Sequence, residues 1–196
     1  MKREDWDRRY AGAESLWSAK PNRVLVAEVE GLTPGRALDL ACGEGQNAIW
    51  LAQQGWRVTA VDYSEVAIAK AQRRAADAGV EIELVCADLV DFEPGPASVD
   101  LVVVLFLHMG ASERVLVLGR AARALAPGGT FLLLGHDLAN LTSGVGGPSD
   151  PDVLHTPDDI VAELPGLEIE KGERVLRDVN GADRPAIDCL VRARRP

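Results

Sequence analysis

Residues 38–47 read Leu-Asp-Leu-Ala-Cys-Gly-Glu-Gly-Gln-Asn, and this stretch decides the fold. The run 36–41 predicts a strand, Gly43 and Gly45 predict a loop, and the apolar residues that follow recur at helical spacing until Gly55. Glycine lets the backbone pass close to a ligand where any side chain would collide, and the start of a helix presents unpaired N–H groups. The stretch therefore predicts a ligand-binding bend after the first strand.

Strands and helices alternate along the rest of the chain. Four more strands are predicted at 57–62, 81–86, 99–107 and 130–134, and three more helices begin near Ser64, Ser112 and Thr156. The last segments, 167–176 and 186–193, predict an antiparallel pair. The alternation predicts an α/β fold, a doubly wound, mostly parallel, Rossmann-like seven-stranded sheet with an antiparallel last strand. Ligands bind such sheets beyond the carboxyl ends of the strands, so functional residues are expected there.

The length, charge and cysteine content of the chain limit the functions that it can have. A chain of 196 residues with 47% hydrophobic content predicts one domain, 1–196. The net charge of −9 repels a phosphate backbone, so no nucleic acid is expected as a partner. No stretch has the length and apolar character of a membrane span or a signal peptide, so no membrane partner and a cytoplasmic location are expected. A monomer or homodimer is expected. Cys42, Cys86 and Cys189 lie far apart, which predicts reduced thiols and no metal site.

The glycine loop alone fits either a dinucleotide or S-adenosylmethionine (SAM). Three carboxylates, one at each of three strands, help to decide between these two ligands. Asp39 lies inside the first strand, where it can orient the loop or meet a cationic ligand group through a water. Asp62 ends the second strand, where a carboxylate usually accepts hydrogen bonds from both ribose hydroxyls, or it caps the next helix. Asp88 follows the third strand and can accept from an adenine amino group, or it serves a turn.

Together these residues resemble the class I SAM-dependent methyltransferases. Five motifs over residues 36–135 follow the order of that family: Leu-Asp-Leu-Ala-Cys-Gly-Glu-Gly (38–45), Val-Asp-Tyr-Ser (61–64), Ala-Asp-Leu (87–89), Asp-Leu-Val-Val-Val-Leu-Phe-Leu-His (100–108) and Leu-Ala-Pro-Gly-Gly-Thr-Phe (125–131). One departure is Ala41, where the family usually has glycine. Alanine is a mild replacement there, and it is expected to tighten the loop slightly.

The resemblance implies a SAM-binding core at 36–135. Its implied cofactor contacts are Asp39, Ala41, Gly43, Gly45, Asp62, Tyr63, Asp88, Leu89 and Leu105. The glycine loop would approach the methionyl part, Asp62 the ribose, and Asp88 with the N–H of Leu89 the adenine. Tyr63 would lie against the ring, and the backbone carbonyl of Leu105 would face the amino group.

The N-terminus resembles a narrower group. Trp-Asp-Arg-Arg-Tyr (6–10) and Leu-Trp-Ser-Ala-Lys-Pro-Asn (16–22) are similar to the leader of the tellurite-resistance and thiopurine methyltransferase-like branch. That resemblance implies a lid segment, 1–22, with Trp17 as its lid residue; the alternative is that the tryptophans anchor the N-terminus to the core. The loop 138–155 is expected near the acceptor site, with a mobile surface excursion as its alternative.

Methyl transfer from a sulfonium mainly requires a nucleophile held in line and water excluded. His108 and His136 follow strands on the ligand side and are candidate bases or acceptor-orienting groups. Asp137 could orient His136 or bind a cationic acceptor, with an ordinary loop carboxylate as the alternative. His155 is expected to be structural. Three functions stay open: a small-molecule methyltransferase, an NAD(P)-dependent oxidoreductase on the same glycine loop, and a SAM-binding protein without transferase activity.

Overall fold

In the computed structural model, which describes residues 2–196, seven strands form one sheet. They are β1 (Arg36–Leu40), β2 (Arg57–Asp62), β3 (Glu83–Cys86), β4 (Val99–Leu105), β5 (Leu125–His136), β6 (Glu168–Arg177) and β7 (Ala186–Arg194). Their order is β3-β2-β1-β4-β5-β7-β6. The first five strands by sequence pair in parallel, and β7 runs antiparallel to both β5 and β6. The predicted fold class, with its antiparallel last strand, is confirmed.

Seven α-helices connect or flank the strands. They are α1 (Arg3–Ala11), α2 (Arg23–Val29), α3 (Gln46–Gln53), α4 (Glu65–Asp77), α5 (Ala111–Ala124), α6 (Asn140–Ser143) and α7 (Pro157–Ala162), with a 3-10 turn at Pro151–Val153. The predicted caps are present: Ser64 accepts from the amide of Ala67 at the start of α4, and Thr156 accepts from the amide of Asp159 at the start of α7. None of the helices formed by residues 2–196 combines the length and apolar character needed to cross a membrane.

The centre of the sheet is buried on both faces. Along β4, Val102 and Val104 pack into one hydrophobic cluster, and Leu101, Val103 and Leu105 pack into another on the opposite face. This is why residues 101–105 form a continuous apolar run instead of an alternating one. Helices on both faces thus keep the strand ends as the accessible edge for a ligand.

Several boundaries differ from the predicted ones for local reasons. Strand β4 ends at Leu105 because Phe106 takes a left-handed conformation, with φ of 56°. Strand β5 starts at Leu125, which pairs with Val99 before the Pro-Gly-Gly turn. Strand β3 is shorter than predicted and begins at Glu83. None of these differences moves a strand end by more than a few residues.

Register brings the carboxyl ends of the parallel strands to one edge. Leu40 at the end of β1 pairs with Val61 and Val104, Asp62 pairs with Cys86, and Leu105 pairs with Leu134. The residues that follow these positions therefore lie along one edge of the sheet, which is where the sequence analysis expects the functional residues.

Candidate functional site

The bend after β1 has the left-handed geometry that its glycines allow. Ala41, Gly43 and Gly45 have φ of 62°, 55° and 80°. A side chain in that region costs about 1–2 kcal/mol, so Ala41 carries backbone strain that a glycine would not. A Cβ on Gly43 would lie 2.9 Å from the hydroxyl oxygen of Tyr10, and a Cβ on Gly45 would lie 2.9 Å from Cβ of Ala71. The two glycines are therefore also required by the packing of neighbouring helices.

Asp62 ends β2 and holds the bend in place. Its Oδ2 accepts a hydrogen bond from the amide of Gly43 at 2.9 Å, and its Oδ1 accepts one from the amide of Ser64 at 2.9 Å. The side chain is buried, and burial raises its pKa while the amide hydrogen bonds act in the opposite direction. Each carboxylate oxygen has a second lone pair, so these contacts leave acceptor capacity for ligand hydroxyls.

Asp39 is a buried carboxylate without a full set of partners. It lies in β1 with 1% of its surface exposed, and among residues 2–196 no group hydrogen-bonds to its Oδ2. Burial and the neighbouring charge of Asp62 raise the pKa of Asp39 to about 8. A buried acceptor of this kind is expected to be satisfied by a bound group or a water.

The third predicted carboxylate lies in a turn after β3. Asp88 is exposed, and its Oδ1 accepts from the amide of Val90 at 3.0 Å. Leu89 beside it is buried in the core. Tyr63 is half-buried, and its burial, followed by the charges of Asp62 and Asp88, raises its pKa to about 12. Asp88 itself serves the turn after β3.

Glu44 was not singled out from the sequence, yet it ties the N-terminal segment to the glycine bend. It is fully buried, with ion pairs to Nζ of Lys70 at 3.1 Å and to Arg74 at 3.3 Å. Its Oε2 accepts from the backbone amides of Leu16 and Trp17 at 3.0 and 3.2 Å. Lysine and arginine four residues apart on one face of α4 were the available sequence signal.

The same lysine holds the turn after α1. Nζ of Lys70 donates to the carbonyls of Tyr10 at 2.6 Å, Ala13 at 2.5 Å and Glu14 at 3.3 Å. Trp17 keeps 41% of its surface exposed, and its indole N–H donates to the hydroxyl of Tyr10 at 3.4 Å. The backbone of this segment is therefore pinned, while the ring of Trp17 remains partly free.

Aromatic rings continue from the N-terminal helix across to the ends of β4 and β5. Trp6 stacks on Tyr10 with centroids 5.7 Å apart and lies 6.4 Å from the ring of His108. His108 stacks on His136 at 5.7 Å, and Phe106 lies 5.0 Å from His136. The structure thus brings the two predicted histidines together, beneath the N-terminal helix.

The chain reaches this aromatic row through a sharp turn. Leu105 is the last residue of β4 and is buried, and the left-handed Phe106 then donates its amide to the carbonyl of Leu134 at 2.7 Å. Burial, together with the neighbouring His136 and Arg9, lowers the pKa of His108 to about 4, so this ring is neutral at pH 7. Its Nε2 has no hydrogen-bond partner among residues 2–196.

His136 lies beside a carboxylate, although not the one expected. Its Nδ1 is 3.1 Å from Oδ1 of Asp188, which is within ion-pair distance but outside hydrogen-bond alignment. Asp188 is fully buried and also pairs with Nε of Arg177 at 2.6 Å. The expectation that Asp137 orients His136 is wrong, because Asp137 instead pairs with Arg174 at 2.9 Å and accepts from the amide of Ala139. His136 and Asp188 are direct cross-strand partners of β5 and β7.

The loop 138–155 covers one side of His136. A Cβ on Gly147, which has φ of 77°, would lie 2.9 Å from the imidazole ring. The loop is fastened by Asn140, whose side chain accepts from the amide of Ile187 at 2.8 Å and donates to the carbonyl of Gly146 at 2.8 Å. Its buried neighbour His155 packs against Gly135. Only a glycine at 147 permits this contact with His136.

Known proteins share this sequence and fold. A family model described as a methyltransferase domain matches residues 37–129. The chain is 32% identical over 125 residues to a demethylmenaquinone methyltransferase of Thermus thermophilus, covering 63% of this chain and 55% of that protein. It is 35% identical over 83 residues to ribosomal RNA small subunit methyltransferase C of Alcanivorax borkumensis, covering 41% of this chain and 25% of that protein.

The fold match extends over nearly the whole chain. The N-methyltransferase NodS from Bradyrhizobium japonicum, solved with S-adenosyl-L-homocysteine, aligns with a TM-score of 0.77 at 21% identity, covering 99% of this chain and 98% of that one. The curated relatives are longer, and the chain spans about a quarter and about half of the two named above. The sequence motifs, the sheet order and the family match agree in likening residues 37–129 to a methyltransferase domain.

Proposed function

We propose that the protein transfers a methyl group from SAM to a small-molecule acceptor by in-line displacement. The observation that carries the cofactor assignment is Asp39, a buried carboxylate with an unpartnered oxygen beside a left-handed glycine bend. A cationic ammonium would favour the ionised form of Asp39, whereas a pyrophosphate would raise the pKa of Asp39 further and keep it protonated. The geometry and the family match both favour SAM over a nicotinamide dinucleotide.

The residues present suit each part of SAM. Gly43, Gly45 and Ala41 would line the methionyl part, with Asp39 near the ammonium directly or through a water. Asp62 would accept from the ribose hydroxyls with the lone pairs that its amide contacts leave free. The adenine would take contacts from Asp88, Leu89 and Tyr63, and the carbonyl of Leu105 would face the amino group. When bound, SAM supplies a methyl group already activated by its positively charged sulfur.

The N-terminal segment would exclude water from the reacting atoms. Its backbone is fastened to Glu44 of the glycine bend, and its rings at Trp6 and Tyr10 continue to His108. Trp17, with its partly exposed ring, is the proposed lid residue of segment 1–22. This arrangement supports, as a proposal, the tellurite-resistance and thiopurine methyltransferase-like branch.

The acceptor would bind where His108 and His136 meet the loop 138–155. A small molecule suits this site because it lies between packed aromatic rings instead of on an open basic surface. The net charge of −9 also disfavours nucleic acid as the substrate. A single domain, a cytoplasmic location and a monomer or homodimer remain predictions.

Calorimetry and product analysis test the proposal in two steps. Titration with SAM is expected to give saturable binding, whereas NAD and NADP give none. Incubation with labelled SAM and a panel of phenols, thiols, amines and metalloid oxyanions is then expected to give acceptor-dependent S-adenosylhomocysteine. Binding of NAD but not SAM would support the oxidoreductase alternative, and SAM binding without any acceptor-dependent product would support the non-enzymatic one.

A further inference from the structure

His136 differs from the other two histidines of the chain in having a carboxylate partner. Its Nδ1 lies 3.1 Å from Asp188, while neither His108 nor His155 lies within ion-pair distance of an acidic group in the part of the chain that is described. Burial is the main cause that lowers the pKa of both His108 and His155 to about 4. A group protonated only near pH 4 is a weak base, so the carboxylate beside His136 makes this ring the best candidate base of the three histidines.

The carboxylate also decides which nitrogen of His136 is free. A carboxylate at Nδ1 favours the tautomer with its proton on that nitrogen, which leaves Nε2 as the acceptor. Among residues 2–196, neither ring nitrogen of His136 has an aligned hydrogen bond, but Nδ1 lies within ion-pair distance of Asp188 and Nε2 has no such neighbour. The carboxylate thus faces the ring from one side and leaves the other nitrogen to a ligand.

Asp188 is built to stay ionised in this position. It is fully buried, which by itself would raise its pKa, but contacts from His136 and Arg177 outweigh burial and lower the pKa instead. Arg177 also places its guanidinium 5.2 Å from the centre of the Phe106 ring, which itself packs on His136. The charged groups around His136 are thus Asp188 on β7 and Arg177 on β6, with His108 neutral across the ring and Asp137 paired elsewhere.

The surrounding rings indicate the shape of an acceptor. Trp6, His108 and Phe106 are planar and stack or tilt along one row with His136. Planar aromatic molecules pair favourably with such faces. A base beside them is needed for a hydroxyl acceptor of high pKa and superfluous for a thiolate or a metalloid oxyanion.

We propose that His136 accepts the proton of a phenol-like hydroxyl during methyl transfer, with Asp188 as its positioning residue; this rests on the proposed function above. The hydroxyl proton passes to Nε2 while the oxygen lone pair forms the bond to the methyl carbon. The carbon–sulfur bond breaks and its electron pair remains on sulfur. The positive charge thus moves from sulfur to the imidazole, where Asp188 stabilises it, and the proton is later released to water.

A series of para-substituted phenols of increasing pKa tests the role of His136. The expected loss of kcat/KM in His136→Gln is about 10²- to 10⁴-fold for the least acidic phenol, and it shrinks towards none for phenols already ionised at the assay pH. The same loss for every phenol would overturn the proposal. Turnover of thiophenol or aniline without any phenol would overturn it while leaving the proposed function standing, whereas SAM binding without turnover of any acceptor would count against the proposed function itself.

Asp188→Asn and Asp137→Asn form a matched pair for the positioning role. Both aspartates are fully buried and paired with an arginine, but only Asp188 reaches His136. NMR titration of the free protein is expected to move the protonation midpoint of His136 to lower pH in Asp188→Asn and to leave it in place in Asp137→Asn. The ascending limb of the pH–rate profile should move in parallel. Equal behaviour of the two variants, or an unmoved midpoint in Asp188→Asn, would overturn the assignment.

Discussion

The proposed cofactor side and the proposed acceptor side of this sheet edge are built in different ways. On the cofactor side, at the ends of β1 to β3, the main contacts are between a carboxylate and nearby backbone amides, as Asp62 makes to Gly43 and Ser64. On the acceptor side, side chains from separate parts of the chain meet one another, as Trp6, His108 and His136 do. The first region thus depends on short motifs, and the second depends on long-range packing.

Glu44 connects the glycine bend to the N-terminal segment, so its substitution should have the largest effect on stability. Glu44→Gln leaves Lys70 and Arg74 beside a buried neutral amide. We expect a loss of about 3 kcal/mol in the free energy of unfolding, the lower end of the cost of breaking a buried ion pair, because the two cations are partly solvated. Urea unfolding measures this loss.

A matched control for Glu44 lies on α4. Glu65 also ties the N-terminus to the core, through Arg3 at 2.8 Å, but its side chain is 79% exposed. Glu65→Gln is expected to cost less than about 1 kcal/mol. Equal losses in the two variants would show that the buried cluster is not what fastens the segment.

Asp62→Ala sharpens the description of the cofactor side. SAM binding is expected to weaken by about 1–3 kcal/mol, the scale of hydrogen bonds to a charged group. Calorimetric titration provides the test, with Asp88→Ala as the comparison. Because Asp88 is exposed, Asp88→Ala should weaken SAM binding less than Asp62→Ala does. Unchanged affinity in Asp62→Ala would refute the ribose assignment.

Asp39 gives the cofactor side a pH dependence. Its pKa is about 8 in the folded protein against an ordinary value of 3.8, so between these pH values the folded state holds a proton that the unfolded state has lost. Rising pH therefore destabilises the wild type through this group. The free energy of unfolding of Asp39→Asn, relative to that of the wild type, should therefore rise by about 1 kcal/mol per pH unit from pH 5 to pH 7. Urea unfolding at several pH values checks this, and a difference between the two proteins that does not vary with pH would contradict it.

Trp17→Ala is expected to have the smallest effect on folding. The variant keeps the backbone amide that donates to Glu44 and removes a ring that is 41% exposed. We expect less than about 1 kcal/mol change in stability, but a turnover reduced about fivefold if the ring stabilises the reacting cation, worth about 1 kcal/mol. Val26→Ala, at a similarly exposed position on α2, should change neither. A lower melting temperature with normal turnover would instead assign Trp17 an anchoring role.

The sequence was sufficient to place the residues of the proposed cofactor side in the fold, because their signals are local. The glycine bend, the cap at Ser64 and the strand ending in Asp62 each lie within a few residues of their partners or their motif. The acceptor side was less accessible. His108 and His136 could be placed at strand ends, but pairing His136 with Asp188 requires the register of β5 on β7. Choosing Asp137 as its partner assumed that adjacent residues share a direction, which successive residues of an extended chain do not.

Helix α5 shows the same limit in the core. Helical spacing of Val115, Leu118 and Ala122 predicts the buried face, yet Val115 is 49% exposed. The buried face includes Arg114, which forms a two-point ion pair with Glu163 at 3.0 and 2.7 Å. A charged residue that is neutralised by a distant partner cannot be recognised as buried from periodicity alone.

The double attachment of Glu44 bears on the order of events in a catalytic cycle. With SAM bound as proposed, a residue of the glycine bend that also fastens the N-terminal segment would link occupancy of the bend to closure of the segment, and such linkage acts equally in both directions. A change that loosens the N-terminal segment would then speed the release of S-adenosylhomocysteine, and a change that tightens the segment would slow that release. With chemistry that demands little of the protein, opening of this fastening is the step that would set the pace of repeated turnovers.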